Sequence, residues 1–135
     1  MTVYEPPSNR DEEIAREVVD AAIRLPSALG PGLLESAYEQ CLQHELARRG
    51  LRAARQVPVP IIYEGTCIET GFRLDLLVED LVIVELKAVE AMIPLYDAQI
   101  LTHLKLTGKH IGFLINFNVP RLKSGLKRFV RTPSS

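Results

Sequence analysis

Tryptophan is absent and aromatic residues make up only 6% of the chain, so a surface that reads nucleobases mainly by stacking would be sparse. No apolar run approaches the roughly 20 residues that a bilayer-spanning helix needs. The opening Met-Thr-Val-Tyr-Glu lacks a basic stretch followed by an apolar one and does not read as a signal peptide. There are two cysteines, Cys41 and Cys67, with no CxxC spacing, which fits reduced, buried thiols in a cytoplasmic protein better than a disulfide or a zinc site. Gly30-Pro31-Gly32 is too short for a phosphate-cradling loop and follows no strand. Ser36 has no His/Asp arrangement around it, and His44 and His110 have no partner at ligand spacing. These absences remove the serine-hydrolase, P-loop and zinc-site classes. There is no internal repeat and no interdomain linker.

What is present suffices for one core. The chain has 135 residues, 47% of them hydrophobic and 24% charged, in the range of ordinary globular domains. We expect a loose arm over 1–8, one domain over 9–131 and a short tail over 132–135. The net charge is −1, but residues 103–135 carry seven bases and no acid. That segment reads either as a solvated tail or as a local face for an anionic ligand.

Apolar residues recur at helical spacing from Ile14 to Leu25, with Asn9 as the expected N-cap and Pro26 as the stop. A second helix is expected from about Gly32 to Arg49, with Leu34, Ala37, Tyr38, Cys41, Leu42 and Leu46 as its apolar stripe. Residues 51–63 read as an edge strand because Pro58 and Pro60 cannot sit in a central ladder. Strands follow over 66–78 and 81–87, then a helix from Pro94 to Gly108 and a buried strand over 111–117. Residues 119–131 close the chain as a short strand or a helix. The order α-α-β-β-β-α-β describes an α/β protein with a mixed central sheet flanked by helices.

The chemistry concentrates in residues 72–87. A hairpin centred near Asp80 sets Asp75 opposite Glu85, and alternation puts Arg73, Asp75, Leu77, Ile83, Glu85 and Lys87 on one face. Leu74, Leu76, Val78, Val82, Val84 and Leu86 would fill the other, wholly apolar face. Asp, Glu and Lys are rarely buried unless paired. Two facing carboxylates repel, and a hard divalent cation such as Mg²⁺ relieves that repulsion. Lys87 would then orient a water or offset phosphoryl charge. A metal-free ion pair of Lys87 with Glu85 or Asp75 accounts for the same pattern. Glu35 and Tyr38 share a helical face beside the apolar stripe, where Glu35 is either a third acidic group of the site or half of a surface pair. On the third helix Tyr96 and Gln99 share a face, and His103, four residues on, reads as a surface or capping histidine.

The pattern Gly32-x-x-Glu35-x-x-Tyr38, followed in order by Asp75, Glu85-x-Lys87 and Gln99, resembles the GxxExxY protein family of the PD-(D/E)XK nuclease-like superfamily. The resemblance extends over about residues 10–131, and Leu74 stands where the superfamily's name has Pro. It implies a restriction-endonuclease-like core and Mg²⁺- or Mn²⁺-dependent hydrolysis of nucleic acid. It makes Asp75, Glu85 and the main-chain carbonyl of Leu86 the metal ligands. Glu35, Lys87 and Gln99 would be the catalytic residues. Two readings follow. One is a nuclease acting on DNA or RNA. The other is a non-catalytic binding module on the same fold, with a homodimer left open by the small size and the proline-bearing edge strand. Every expected charged position is present, which favours the enzyme.

Overall fold

The computed structural model describes residues 5–131. Residues 1–4 of the expected arm and the expected tail at 132–135 lie outside the described residues. Helix α1 spans Asn9–Leu29 and α2 spans Glu35–Arg48. Strands β1 (Ala53–Tyr63), β2 (Thr66–Val78) and β3 (Val82–Lys87) follow, then α3 (Pro94–Thr107), β4 (Ile111–Asn116), a 3₁₀ turn over Leu122–Ser124 and β5 (Leu126–Val130). The basic closing segment is therefore a strand.

Both helix starts differ from expectation by local chemistry. Ser8, not Asn9, caps α1: its Oγ accepts from the Asp11 N–H, and Asp11 accepts from the Ser8 N–H, forming a capping box. The helix also continues through Pro26 to Leu29. A proline this near the C-terminus removes only one backbone bond, and the Pro26 carbonyl still accepts from the Gly30 N–H. In α2 the first helical residue is Glu35, with Leu34 as an extended N-cap that is 77% exposed. Helical periodicity does not apply to a residue outside the helix, so Leu34 leaves the expected stripe while Tyr38, Leu42 and Leu46 are fully buried.

The sheet order is β1-β2-β3-β4-β5, antiparallel except for the parallel β3–β4 pair. Strand β1 forms one edge, as its prolines require. On one face Leu76, Val78, Val84, Leu86 and Phe113 pack against Ile14, Val18 and Ala22 of α1 and Tyr38, Leu42 and Leu46 of α2. On the other, Ile83 packs with Leu104 of α3. All of β4 is buried, and at Gly112 a Cβ would stand 3.0 Å from Ile100 Cδ1, so glycine lets α3 settle onto the strand.

The β1–β2 pairing shifts register between Val59 and Ile61, and strict alternation along β2 also fails near Asp75. Leu74 belongs with Ile83 and Leu104, not with Leu76 and Val78. The pairs Arg55↔Leu76 and Val57↔Leu74 frame Gln56, which has φ 51°, opposite Asp75. The backbone irregularity thus coincides with the acidic residue of the hairpin, a position where local strain often marks function.

No helix among the described residues is long and apolar enough to cross a membrane. The turn before β5 sets a packing limit: a Cβ at Gly125 would lie 2.2 Å from the Asn116 carbonyl oxygen and 3.0 Å from Val119 Cγ2. Gly125→Ala is therefore expected to cost about 1–3 kcal/mol. Urea unfolding should show a lower midpoint with an unchanged slope. An unchanged midpoint would mean that this turn moves freely.

Candidate active site at the β2–β3 hairpin

The ladder Val78↔Val82, Leu77↔Ile83, Leu76↔Val84 runs outward from the hairpin turn and ends one residue before Asp75 and Glu85, whose carboxyls come together there. Asp75 Oδ2 accepts from the Leu86 N–H at 2.9 Å. Its Oδ1 lies 3.5 Å from Gln56 Nε2. Glu85 is only 8% exposed, and its Oε1 stands 2.9 Å from His103 Nδ1. Burial raises the Glu85 carboxyl from its usual range to about 7. The His103 hydrogen bond opposes that rise, while the Asp75 charge and a hydrogen bond between the two carboxyls add to it.

Glu35 opens α2 half-buried. Its carboxyl is raised by burial and then by Asp75, with Lys87 pulling the other way and Glu39 adding to the rise. Lys87 is half-buried at the end of β3, with Nζ 4.5 Å from the centre of the Tyr96 ring. Its main chain is held because the Lys87 carbonyl accepts from the Phe117 N–H at 2.9 Å. Buried Asn116 fastens the loop that follows: its Nδ2 donates to the Val89 carbonyl and its Oδ1 accepts from the Val89 N–H.

The fold thus gathers Glu35, Asp75, Glu85 and Lys87 in one electrostatic neighbourhood. Two expected residues stand apart from it. Tyr38 is fully buried, stacked on Phe117 with centroids 4.8 Å apart, and its hydroxyl donates to the Gly30 carbonyl at 2.6 Å and accepts from the Leu33 N–H. It ties down the loop that leads into Glu35. Gln99 is exposed on α3, one turn before His103. Leu86 contributes its N–H to Asp75.

Four neighbours escaped sequence reasoning. His103 lies flat on Phe72, centroids 4.3 Å apart and 6° between planes, while it reaches Glu85. Its spacing from Gln99 was visible in the sequence, but Phe72 lies on another element. Glu39 is 3% exposed, with Arg55 Nε donating to it at 2.9 Å and Gln56 Nε2 at 3.0 and 3.2 Å. Only the β1–β2 register puts Arg55 and Gln56 there. The basic C-terminal strand is also not simply solvated: Arg128 makes two hydrogen bonds to Glu12, and Lys127 is paired with Asp97.

Among the described residues no three Asp, Glu, His or Cys side chains stand close enough to enclose a metal ion. Two adjoining carboxylates, one of them buried, still form an all-oxygen donor pair whose mutual repulsion a cation would relieve. Mg²⁺ suits such a pair, because it commonly keeps several waters and takes only one or two carboxylates.

A mixed five-stranded sheet between helices, with an Asp and a Glu-x-Lys on adjacent strands, defines a restriction-endonuclease-like class of α/β protein. The sequence model of the PD-(D/E)XK nuclease superfamily matches residues 12–129, and the chain belongs to that superfamily. A solved structure titled "Crystal structure of SSO0001" is similar over 93% of this chain and 62% of its own, with 17% identity and a TM-score of 0.57. This chain thus spans less than two thirds of that one, and the likeness is one of fold. No curated protein matches the chain.

Proposed function

We propose that this protein is a Mg²⁺- or Mn²⁺-dependent nuclease that hydrolyses phosphodiester bonds in DNA or RNA. The observation that carries this reading is the Asp75–Glu85 carboxyl pair at the β2–β3 hairpin, with Lys87 two residues beyond. Asp75, Glu85 and the Leu86 carbonyl would hold the cation. The chemistry that a bound divalent cation supplies is polarisation of a phosphoryl oxygen and acidification of a water.

The chain's own groups do the rest. The Leu86 N–H fixes Asp75 Oδ2, while Oδ1 lies 3.5 Å from Gln56 Nε2. Glu35 accepts a hydrogen bond from the attacking water. The Lys87 ammonium orients that water and offsets charge that develops on the phosphoryl group. Exposed Gln99 contacts the substrate from α3. One chain supplies every one of these groups, so the reading does not require a homodimer. Cys41 and Cys67 are both free thiols, as a cytoplasmic setting would keep them, but neither is buried as expected: Cys41 is half-buried and Cys67 exposed.

The direct test is cleavage of a panel of labelled DNA and RNA with Mg²⁺ and Mn²⁺, with Asp75→Asn as control. Cleavage by the wild type that the variant loses supports the nuclease. Metal binding without cleavage favours a binding module on the same fold. A second, activity-free result is expected from thermal melting. A ligand that binds only the folded state stabilises it by about 2.7 kcal/mol at a hundredfold excess over its dissociation constant. Mg²⁺ or Mn²⁺ should raise the wild-type melting temperature and leave Asp75→Asn unmoved. An equal rise in both would place the cation elsewhere.

A further inference from the structure

Each carboxylate of the Asp75–Glu85 pair has one oxygen fixed by a 2.9 Å hydrogen bond, and Asp75 Oδ1 also lies 3.5 Å from Gln56 Nε2. A main-chain group, the Leu86 N–H, holds Asp75 at Oδ2. A side chain from α3, on another layer of the fold, holds Glu85 at Oε1. From this we infer that His103 is a positioning residue for the metal site: its Nδ1–H fixes Glu85 Oε1 and leaves Oε2 for the cation. This inference rests on the metal-dependent reading above.

A glutamate has three rotatable side-chain bonds, so a carboxylate that must meet a cation loses rotamer freedom unless that freedom is already gone. His103 is suited to remove it because the histidine is itself immobile. Its ring lies 6° from parallel on Phe72, with centroids 4.3 Å apart, and its side chain is 15% exposed. It sits inside α3, whose neighbouring Ile100 and Leu104 are fully buried. Glu85 is anchored in turn in β3, paired with Leu114 of β4. Two rigid elements on opposite sides of one hydrogen bond thus set where the second carboxylate oxygen points. Hydrogen-bond partners of metal-ligating side chains are worth about tenfold to a hundredfold in metal affinity.

The stacking and the hydrogen bond can be separated by substitution. His103→Phe keeps an aromatic ring against Phe72 and removes the donor. His103→Asn places an amide N–H near the position of Nδ1 and removes the ring. Mn²⁺ binding to the full chain is measured by titration, alongside the melting temperature without metal. His103→Phe is expected to melt near the wild type and bind Mn²⁺ about tenfold to a hundredfold more weakly. His103→Asn is expected to melt lower yet keep an affinity close to that of the wild type.

Wild-type affinity in His103→Phe would overturn the inference, as would a loss in His103→Asn as large as that in His103→Phe. In either case the metal-dependent reading would stand, since the wild type still binds. Wild-type protein without any Mn²⁺ binding that Asp75→Asn removes would overturn that reading, and the positioning role with it.

Discussion

Lys87→Ala is expected to lower phosphodiester cleavage by about a hundredfold or more, the usual effect of removing one group that offsets transition-state charge. The fold should barely notice. Among the described residues the Lys87 ammonium makes no ion pair with Asp75 or Glu85; it rests on the Tyr96 ring, 4.5 Å from its centre. A half-buried contact of that kind is worth about 0.5–1 kcal/mol. The main-chain bonds at position 87 do not depend on the side chain, since the Lys87 carbonyl still receives the Phe117 N–H. Metal affinity should stay level or rise, because a positive charge leaves the vicinity of the cation. A lysine that merely neutralised two buried carboxylates would behave otherwise, and its loss would cost roughly 3–5 kcal/mol. Melting temperature, Mn²⁺ affinity and cleavage measured on the one variant separate these outcomes. A collapse in stability with nothing lost in catalysis would remove Lys87 from the chemistry.

The second large effect is a dependence of stability on pH that a cation reverses. Glu85 titrates near 7 in the fold, chiefly because it is buried, against 4.5 for an ordinary glutamate. A carboxyl raised on folding contributes stability below its unfolded pKa and loses it as pH rises through the folded one. The window is therefore about pH 4.5 to 7, and the shift corresponds to about 3 kcal/mol. Metal-free wild type should become less stable across that window by about this amount relative to Glu85→Gln, which carries no titrating group there. Saturating Mg²⁺ should restore much of the loss at the upper end, because it binds the ionised pair. Urea unfolding of both proteins over this range, with and without Mg²⁺, gives the comparison. Parallel curves for wild type and Glu85→Gln would show that burial of this carboxyl costs little.

Several parts of the molecule follow from local sequence alone. Pro58 and Pro60 cannot donate to a ladder, so β1 had to lie at an edge. The hairpin turn at Glu79–Asp80 sets the register as far as Leu76↔Val84, one residue before Asp75 and Glu85. The order of helices and strands up to residue 117 followed from apolar periodicity, and the superfamily was legible as a resemblance carried by Glu35, Asp75, Glu85 and Lys87.

Tertiary structure decided the rest. Ser8 and Asn9 are both good capping residues, and only the actual path of the chain selects Ser8. Residues 126–130 became a strand because β4 offered an open edge, a fact no local pattern contains. Leu74 left the face of Leu76 next to the place where Gln56, with φ 51°, lies across from Asp75, and that pairing joins residues far apart in the chain. His103 and Glu39 looked like ordinary polar positions on helices. They stand beside the candidate site because α3 brings His103 to Phe72 and Glu85, and β1 brings Arg55 and Gln56 to Glu39. Periodicity records which face of an element is buried; what that face meets depends on long-range packing, which a local pattern does not record.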